Sequence, residues 1–301
     1  MAEELRDAYP KNYLMTYAVT PFLAGDTALQ HYNSLLSLGW MQRYSDMIGI
    51  FSNDSVMNIV TRQHGLTGAK ATPVTLDNLN EYIANCIAGL VLPVTPVRSA
   101  NGKLEYKATP APCDIWSMIS DMTPMPSCKL TSFSSSTVVS GVAASKRTAA
   151  VIGWDDLRTN MTRNMPSLLT GIKRRSISAR IQARGVIGGE YWKKANSFET
   201  QLVSRLGLVH GVDCLNVQLS SIYGTDLKSS MRSLDLCYNG SDSIHMLESL
   251  TTKAQAMFDE KAYLHWYERY GGPEVMDTFD ECFETLHSAK DAYEAFLEPP
   301  L

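Results

Sequence analysis

Short apolar runs and stretches of helical spacing take turns along this chain, the arrangement of a layered α/β protein. Residues 3–8 read as a short helix closed by Pro10. Residues 13–20 are apolar enough for a buried strand ending at Pro21, and residues 46–51 for a second. Between them, Gly25-Asp26 makes a loop and residues 27–38 have helical spacing. Asn53-Asp54-Ser55 offers side-chain acceptors to cap a helix starting near Val56. Residues 75–92 form a long helix with few charges. Leu76, Leu79, Ile83, Ile87 and Leu90 mark one face, so the helix is expected to be central and buried.

Residues 97–112 are polar and irregular, a surface insertion by pattern. Residues 130–144 read as a strand followed by a loop, and residues 154–164 as a short helix. In residues 176–184, Ile177, Ala179, Ile181 and Ala183 alternate with Ser178, Arg180, Gln182 and Arg184, the signature of a half-exposed strand. Residues 243–270 read as one helix, with Ile244, Leu247, Leu250, Ala254, Met257 and Phe258 at helical spacing. Gly271-Gly272-Pro273 stops it and opens a second helix carrying Val275, Phe279, Cys282, Phe283, Leu286, Tyr293 and Phe296. The two make a helical hairpin lying on the rest of the protein.

Composition narrows the function classes. The 301 residues are 45% hydrophobic and 19% charged, with a net charge of −4 and a pI near 5.9. A mildly acidic chain gives no reason to expect nucleic acid or an anionic membrane as partner. The longest apolar runs, such as residues 87–92, fall far short of the ~20 residues a membrane helix needs. The six cysteines (Cys86, Cys113, Cys128, Cys214, Cys237 and Cys282) form no CxxC pair, and the six histidines form no HExxH pair, so no metal site is expected. Lys173-Arg174-Arg175, with Arg180 and Arg184, is the one basic cluster and reads as a solvated face. Residues 185–189, GVIGG, lack the Lys-Ser/Thr of a phosphate loop and read as a turn. These features alone define an α/β protein with a helical C-terminal layer.

One segment goes further. Residues 256–267, AMFDEKAYLHWY, closely resemble the AMFxxKAxLHWY signature of the penultimate helix of tubulins, and the likeness runs from Asn239 through Gly272. Other blocks follow in the same order. Residues 26–38, DTALQHYNSLLSL, resemble the family's sugar-binding loop and helix. Asn53, after a strand, and Asn80, in a Leu79-Asn80 pair, resemble the two asparagines that meet guanine. Residues 114–126 resemble the segment that reaches a neighbouring subunit's nucleotide, and Arg184-Gly185 the end of a strand of the intermediate domain. Within the family the chain is most similar to the delta-type members.

The resemblance implies part of a Rossmann-like GTPase domain, a central helix, an α/β intermediate domain and the C-terminal helical hairpin. Residues 1–92 would hold the nucleotide-domain part and central helix, 93–230 the intermediate domain, and 231–301 its end plus the hairpin. The implied cofactor is GTP, with Asp26 and Gln30 near the ribose and Asn53 and Asn80 on the guanine edge, where an amide offers both donor and acceptor. Implied partners are other tubulins, epsilon-tubulin among them, and microtubule or centriole proteins, at a cytoplasmic centriole or basal body. The chain departs from the family pattern in three places. No GGGTGSG-type phosphate loop occurs in it, so GTP binding is expected to be weak or absent. Leu76 stands where many members place an aromatic that stacks on the base. Ser117 stands where alpha-type members carry a glutamate that promotes hydrolysis, so no catalytic residue is assigned and turnover is left open. Two alternatives remain at this point: another divergent, epsilon-like tubulin, and a nucleotide-free tubulin-like binding module.

Overall fold

A computed structural model describes residues 1–25, 27–63, 73–92, 97–100, 103–106, 115–139, 154–165, 175–184, 206, 219–222, 231–272 and 274–297. In chain order the elements are α1 (Ala2–Ala8), β1 (Met15–Thr20), α2 (Gln30–Tyr44), β2 (Met47–Ser52), α3 (Asn53–Gln63), α4 (Leu76–Val91), β3 (Val97–Ala100), β4 (Lys103–Tyr106), α5 (Ile115–Met122), β5 (Leu130–Val139), α6 (Trp154–Asn164), β6 (Ser176–Arg184), β7 (Leu219–Ile222), β8 (Met231–Gly240), α7 (Asp242–Asp259), α8 (Leu264–Gly271) and α9 (Val275–Leu297). The α/β alternation expected from the apolar pattern is thus present. The chain folds into two compact units that interleave in sequence. The first comprises Met1–Asp54, Ile119–Ser132 and Asn239–Leu301; the second, Ser55–Met118 and Phe133–Tyr238.

In the first unit β1 lies parallel to β2, with Met15 opposite Met47 and Thr20 opposite Ser52. The other side of β2 takes the start of β5 in parallel, Ile48 opposite Leu130. β2 is an inner strand and mostly buried, whereas β1 stands at the end of the strand order and is half-exposed throughout, with Val19 48% exposed. The buried strand expected at residues 13–20 is therefore an edge strand with a partner on one side only among the described residues. Arg6 fastens α1 to this end of the sheet. Its guanidinium meets the Asp46 carboxylate at 2.6 Å, and the same carboxylate oxygen accepts from the Leu14 N–H at 2.7 Å.

α9 packs against both α2 and α7. Phe279, fully buried on α9, sits in the middle of an aromatic cluster. Tyr32 of α2 meets it edge-on at 5.0 Å, Tyr267 of α8 edge-on at 5.2 Å, and Phe258 of α7 at 5.5 Å. Tyr32 and Tyr267 also meet each other at 5.6 Å, and the Tyr267 hydroxyl donates to Asn33 Oδ1 at 2.8 Å. Such pairs add about 0.5–1.5 kcal/mol each beyond the area they bury. A second anchor lies further along α9. The buried Tyr293 hydroxyl accepts from the Leu130 N–H at 2.9 Å and lies 2.8 Å from Asn239 Oδ1, to which it donates. Asn239 in turn gives its amide hydrogens to Met122 O and Cys128 O. Tyr293 thus ties α9 to β5, while Asn239 ties the end of β8 to the segment leading into β5.

α3 begins at Asn53, so the residues expected to cap it form its first turn, and two further boundaries move, each for a local reason. α2 does not stop before Gly39 but runs on to Tyr44. Gly39 is there because α9 passes against it: a Cβ at this position would lie 2.6 Å from Cys282 Sγ and 3.2 Å from its Cα. The single helix expected at 243–270 is broken into α7 and α8. The Ala262 N–H reaches back to Met257 O and the Lys261 N–H to Phe258 O, both at 2.9 Å, closing α7 with Lys261 in the left-handed region at φ 52°. That is the hydrogen-bond pattern of a Schellman end with lysine where glycine is usual. Gly272, at φ 80°, ends α8 as expected.

In the second unit the strand order is β5-β8-β6-β7, with β6 and β7 parallel and Ile181 opposite Leu219. The half-exposed strand expected at 176–184 is instead buried on both faces: Ser176, Ser178 and Gln182 are at most 1% exposed and Arg180 is 8% exposed. β6 is an inner strand of a partly parallel sheet, where both faces are covered, and α4 lies against it. The solvated face expected for the basic cluster fails at Arg180 for the same reason; Lys173 and Arg174 lie outside the described residues, as do residues 185–189. α4 matches the expected span, with Thr75 and Asn78 forming a reciprocal cap at its start. Its buried positions are Leu79, Tyr82, Cys86, Gly89 and Leu90, a stripe rotated from the expected one, and Leu76 is 67% exposed. Gly89 permits a close seat, because a Cβ there would fall 2.3 Å from the Asp235 carboxyl carbon. That buried carboxylate accepts from Ser135 Oγ at 2.6 Å and Ser233 Oγ at 2.9 Å. Within the insertion expected at 97–112, β3 and β4 pair as a short antiparallel ladder.

Two stability outcomes follow from these close approaches. Gly39→Ala is expected to destabilise the fold by about 1–3 kcal/mol, since backbone as well as side chain must move to admit the methyl. Lys261→Gly is expected to raise stability by roughly 1 kcal/mol by removing a side chain from a left-handed position. Denaturant midpoints at unchanged slope check both.

Candidate functional site

The first unit is hollow where the parallel strands β1 and β2 end. A cavity of about 420 Å³ lies along α2 and β1, lined among others by Thr20, Gln30, Asn33, Ser34, Ile50 and Leu250. Beside it a cavity of about 250 Å³ is lined by Thr20, Gln30, Ser34, Ile50 and Leu250 again, and by residues from the chain after β1, the start of α3 and α7. Both open at the carboxyl ends of β1 and β2, where parallel sheets place their ligands because the loops diverge there and helix N-termini point inward. The first residue of α2 is Gln30, so its side chain is delivered to this point by the helix start.

Gln30 is common to both cavities and only 9% exposed, yet its Oε1 is buried without a hydrogen-bond partner among the described residues. A buried amide oxygen left unpaired costs about 1–3 kcal/mol. Gly25, at φ +69°, passes so close that a Cβ would stand 2.8 Å from Gln30 Nε2. Glycine is needed there both for the backbone angle and to leave room for the amide. The Asp54 carboxylate holds the loop after β1 in place by accepting from the Leu23 N–H at 2.9 Å.

Of the four residues nominated from sequence, Gln30 lines the cavities. Asn53 is half-buried at the first position of α3, between Ser52 and Asp54, which line the smaller cavity. Asn80 is exposed on α4 in the second unit. Asp26 lies outside the described residues. Ser117 is half-buried on α5, also in the second unit. The residues that sequence reasoning passed over are those from α7: Met246, Ser249, Leu250 and Lys253. Their spacing of three, four and seven is a helical face, and that was the available signal.

Electrostatics in the smaller cavity centre on His31. Burial first, and then the nearby Lys253 charge, hold its imidazole below the ordinary value of 6.5. On α9, away from the cavities, burial pushes the Cys282 thiol up to about 11. Among the described residues no cluster of His, Cys, Asp and Glu is arranged to hold a metal ion.

Parallel strands flanked by helices define an α/β protein, and its similarity to known proteins supplies the family. No family model matches the chain. It is 21% identical to the delta-tubulin chain of Mus musculus, over 97% of its own length and 65% of that protein's. It is 20% identical to the delta-tubulin chain of Homo sapiens, over 97% of its own length and 66% of that protein's. A gamma-tubulin chain of Saccharomyces cerevisiae is 39% identical over 20% of the chain. The chain therefore spans about two-thirds of the length of the delta-tubulins it matches. It is a tubulin-family protein, most like delta-tubulin.

The depressed His31 carries a pH consequence. The unfolded chain takes up its imidazole proton near pH 6.5, before the folded one does, so stability is full above that value and is lost as pH falls through it. Replacing His31 with glutamine is expected to flatten the stability profile between about pH 7 and the lower folded value. Urea unfolding of both proteins across pH 5–8 checks this.

Proposed function

We propose that the chain is a delta-type tubulin that holds a guanine nucleotide at the strand-end cavities and acts in the microtubule cytoskeleton. Gln30 and Asp26 take the ribose hydroxyls, and Asn53 reads the guanine edge with paired donor and acceptor. The observation that carries this reading is Gln30, which lines both cavities at the end of parallel strands and whose amide oxygen is buried without a hydrogen-bond partner among the described residues. A hydroxyl donor of the ligand satisfies it. The 301 residues contain no GGGTGSG run, so the chain itself supplies little phosphate binding of that kind and its affinity is low. Hydrolysis is no part of the proposal, because Ser117 cannot orient and polarise water as a carboxylate does.

The delta-type likeness extends the proposal to place and partner. The chain works at centrioles or basal bodies, in triplet microtubules, with epsilon-tubulin as the tubulin it meets. A tagged chain concentrating at those structures and co-precipitating epsilon-tubulin supports this; a diffuse chain that captures no tubulin removes it.

Nucleotide binding is tested by fluorescence anisotropy of a labelled guanine nucleotide. The expected dissociation constant is roughly 0.1 mM or weaker, with adenine nucleotides weaker again. Gln30→Ala and Asn53→Ala are each expected to weaken binding about five- to tenfold, the worth of one hydrogen bond. Equal binding of guanine and adenine nucleotides, or indifference to both variants, overturns the reading.

A further inference from the structure

The smaller cavity has features that a base and a ribose do not use. His31 enters from the first turn of α2 and Lys253 from the middle of α7, two elements far apart in sequence. Their charges are close enough for Lys253 to oppose protonation of the imidazole. Neither side chain has a carboxylate or hydrogen-bond partner among the described residues. Ser34, Ser52 and Ser249 bring hydroxyls to the same wall from α2, β2 and α7. The charged groups facing His31 from the packed elements are Lys253 from α7 and Asp54 from the start of α3. Asp54 already has one oxygen engaged by the Leu23 N–H.

Lys253 and the His31 imidazole converge on a recess with three hydroxyls and one carboxylate, Asp54, which is already engaged by the Leu23 N–H, and this set matches one ligand chemistry. A phosphate offers several acceptor oxygens and a negative charge, and its presence turns the His31–Lys253 repulsion into two attractions. We propose that this recess is a phosphate-binding site, in which His31 and Lys253 hold the anion and the hydroxyls of Ser34, Ser52 and Ser249 donate to its remaining oxygens. The group arrives either as inorganic phosphate or as the tail of a nucleotide. The site stands apart from the reading of the guanine edge and does not need it to be right.

The test follows the His31 ring by NMR in the whole chain, its signal assigned by loss in His31→Gln. Inorganic phosphate is added at constant ionic strength against chloride. Saturable movement of the ring signal is expected, with its titration midpoint rising by about one pH unit once a negative charge is bound beside it. Lys253→Ala is expected to weaken phosphate about tenfold and Lys253→Arg to keep it. Ser249→Ala, a milder change should Lys253→Ala fail to fold, is expected to weaken it about threefold. Movement with GTP that inorganic phosphate competes away identifies the nucleotide tail as the carrier, and movement with inorganic phosphate alone identifies the free anion. Guanosine, which has no phosphate, reports separately on the guanine reading. A ring signal that chloride moves as much as phosphate does, or phosphate affinity unchanged in both Lys253→Ala and Ser249→Ala, overturns the proposal.

Discussion

The first unit depends on the ring of Phe279. This residue of α9 is fully buried and meets side chains from α2, α7 and α8 at once. Its partners include Tyr32, two positions beyond the orphaned Gln30, and Tyr267, whose hydroxyl holds Asn33. The start of α2, which forms one wall of both cavities, is therefore set by aromatic packing contributed from the far end of the sequence. Ring pairs constrain angle as well as distance, so the cluster specifies how α2 presents its first turn.

That arrangement also explains the segment that carries the tubulin resemblance. Within residues 256–267, Phe258 and Tyr267 are cluster members, and Lys261 and Ala262 make the backbone turn that lets both reach Phe279 from two separate helices. A continuous helix through these residues would carry Tyr267 onward instead of folding it back over α2. The motif is thus a packing device around the site helix, with no polar group of its own in the cavities.

Much of this was legible in the chain itself. Residues 154–164 emerge as α6 with the expected bounds, and the cap at Thr75 and the stop at Gly272 lie where Thr and Gly chemistry puts them. Patterning failed where neighbours decide burial. β6 alternates polar and apolar residues, yet is covered on both faces because it is an inner strand, and short Ser and Gln side chains give no hint of that. The helix expected to end at residue 38 runs on through Gly39, which is a contact point with Cys282. For the cavities, Gln30 could be nominated from its likeness to a sugar-binding loop. Lys253 and Ser249 share a helical face with Met246 and Leu250, but that spacing does not say which site the face meets, which depends on the packing of α7. Asn53 and Asn80 fall in different units.

The Asn239 anchor bears on how the chain ages. Asn239 is followed by Gly240, a pair in which the next backbone nitrogen readily attacks the side-chain carbonyl, closing a succinimide and expelling ammonia. In the fold the amide nitrogen is spent on two carbonyls, the amide oxygen on Tyr293, and the backbone is fixed in β8. Attack needs a rotation that those bonds forbid. Deamidation at this position is therefore a covalent record of opening: each molecule that turns Asn239 into aspartate has, at some earlier moment, released α9 from the sheet.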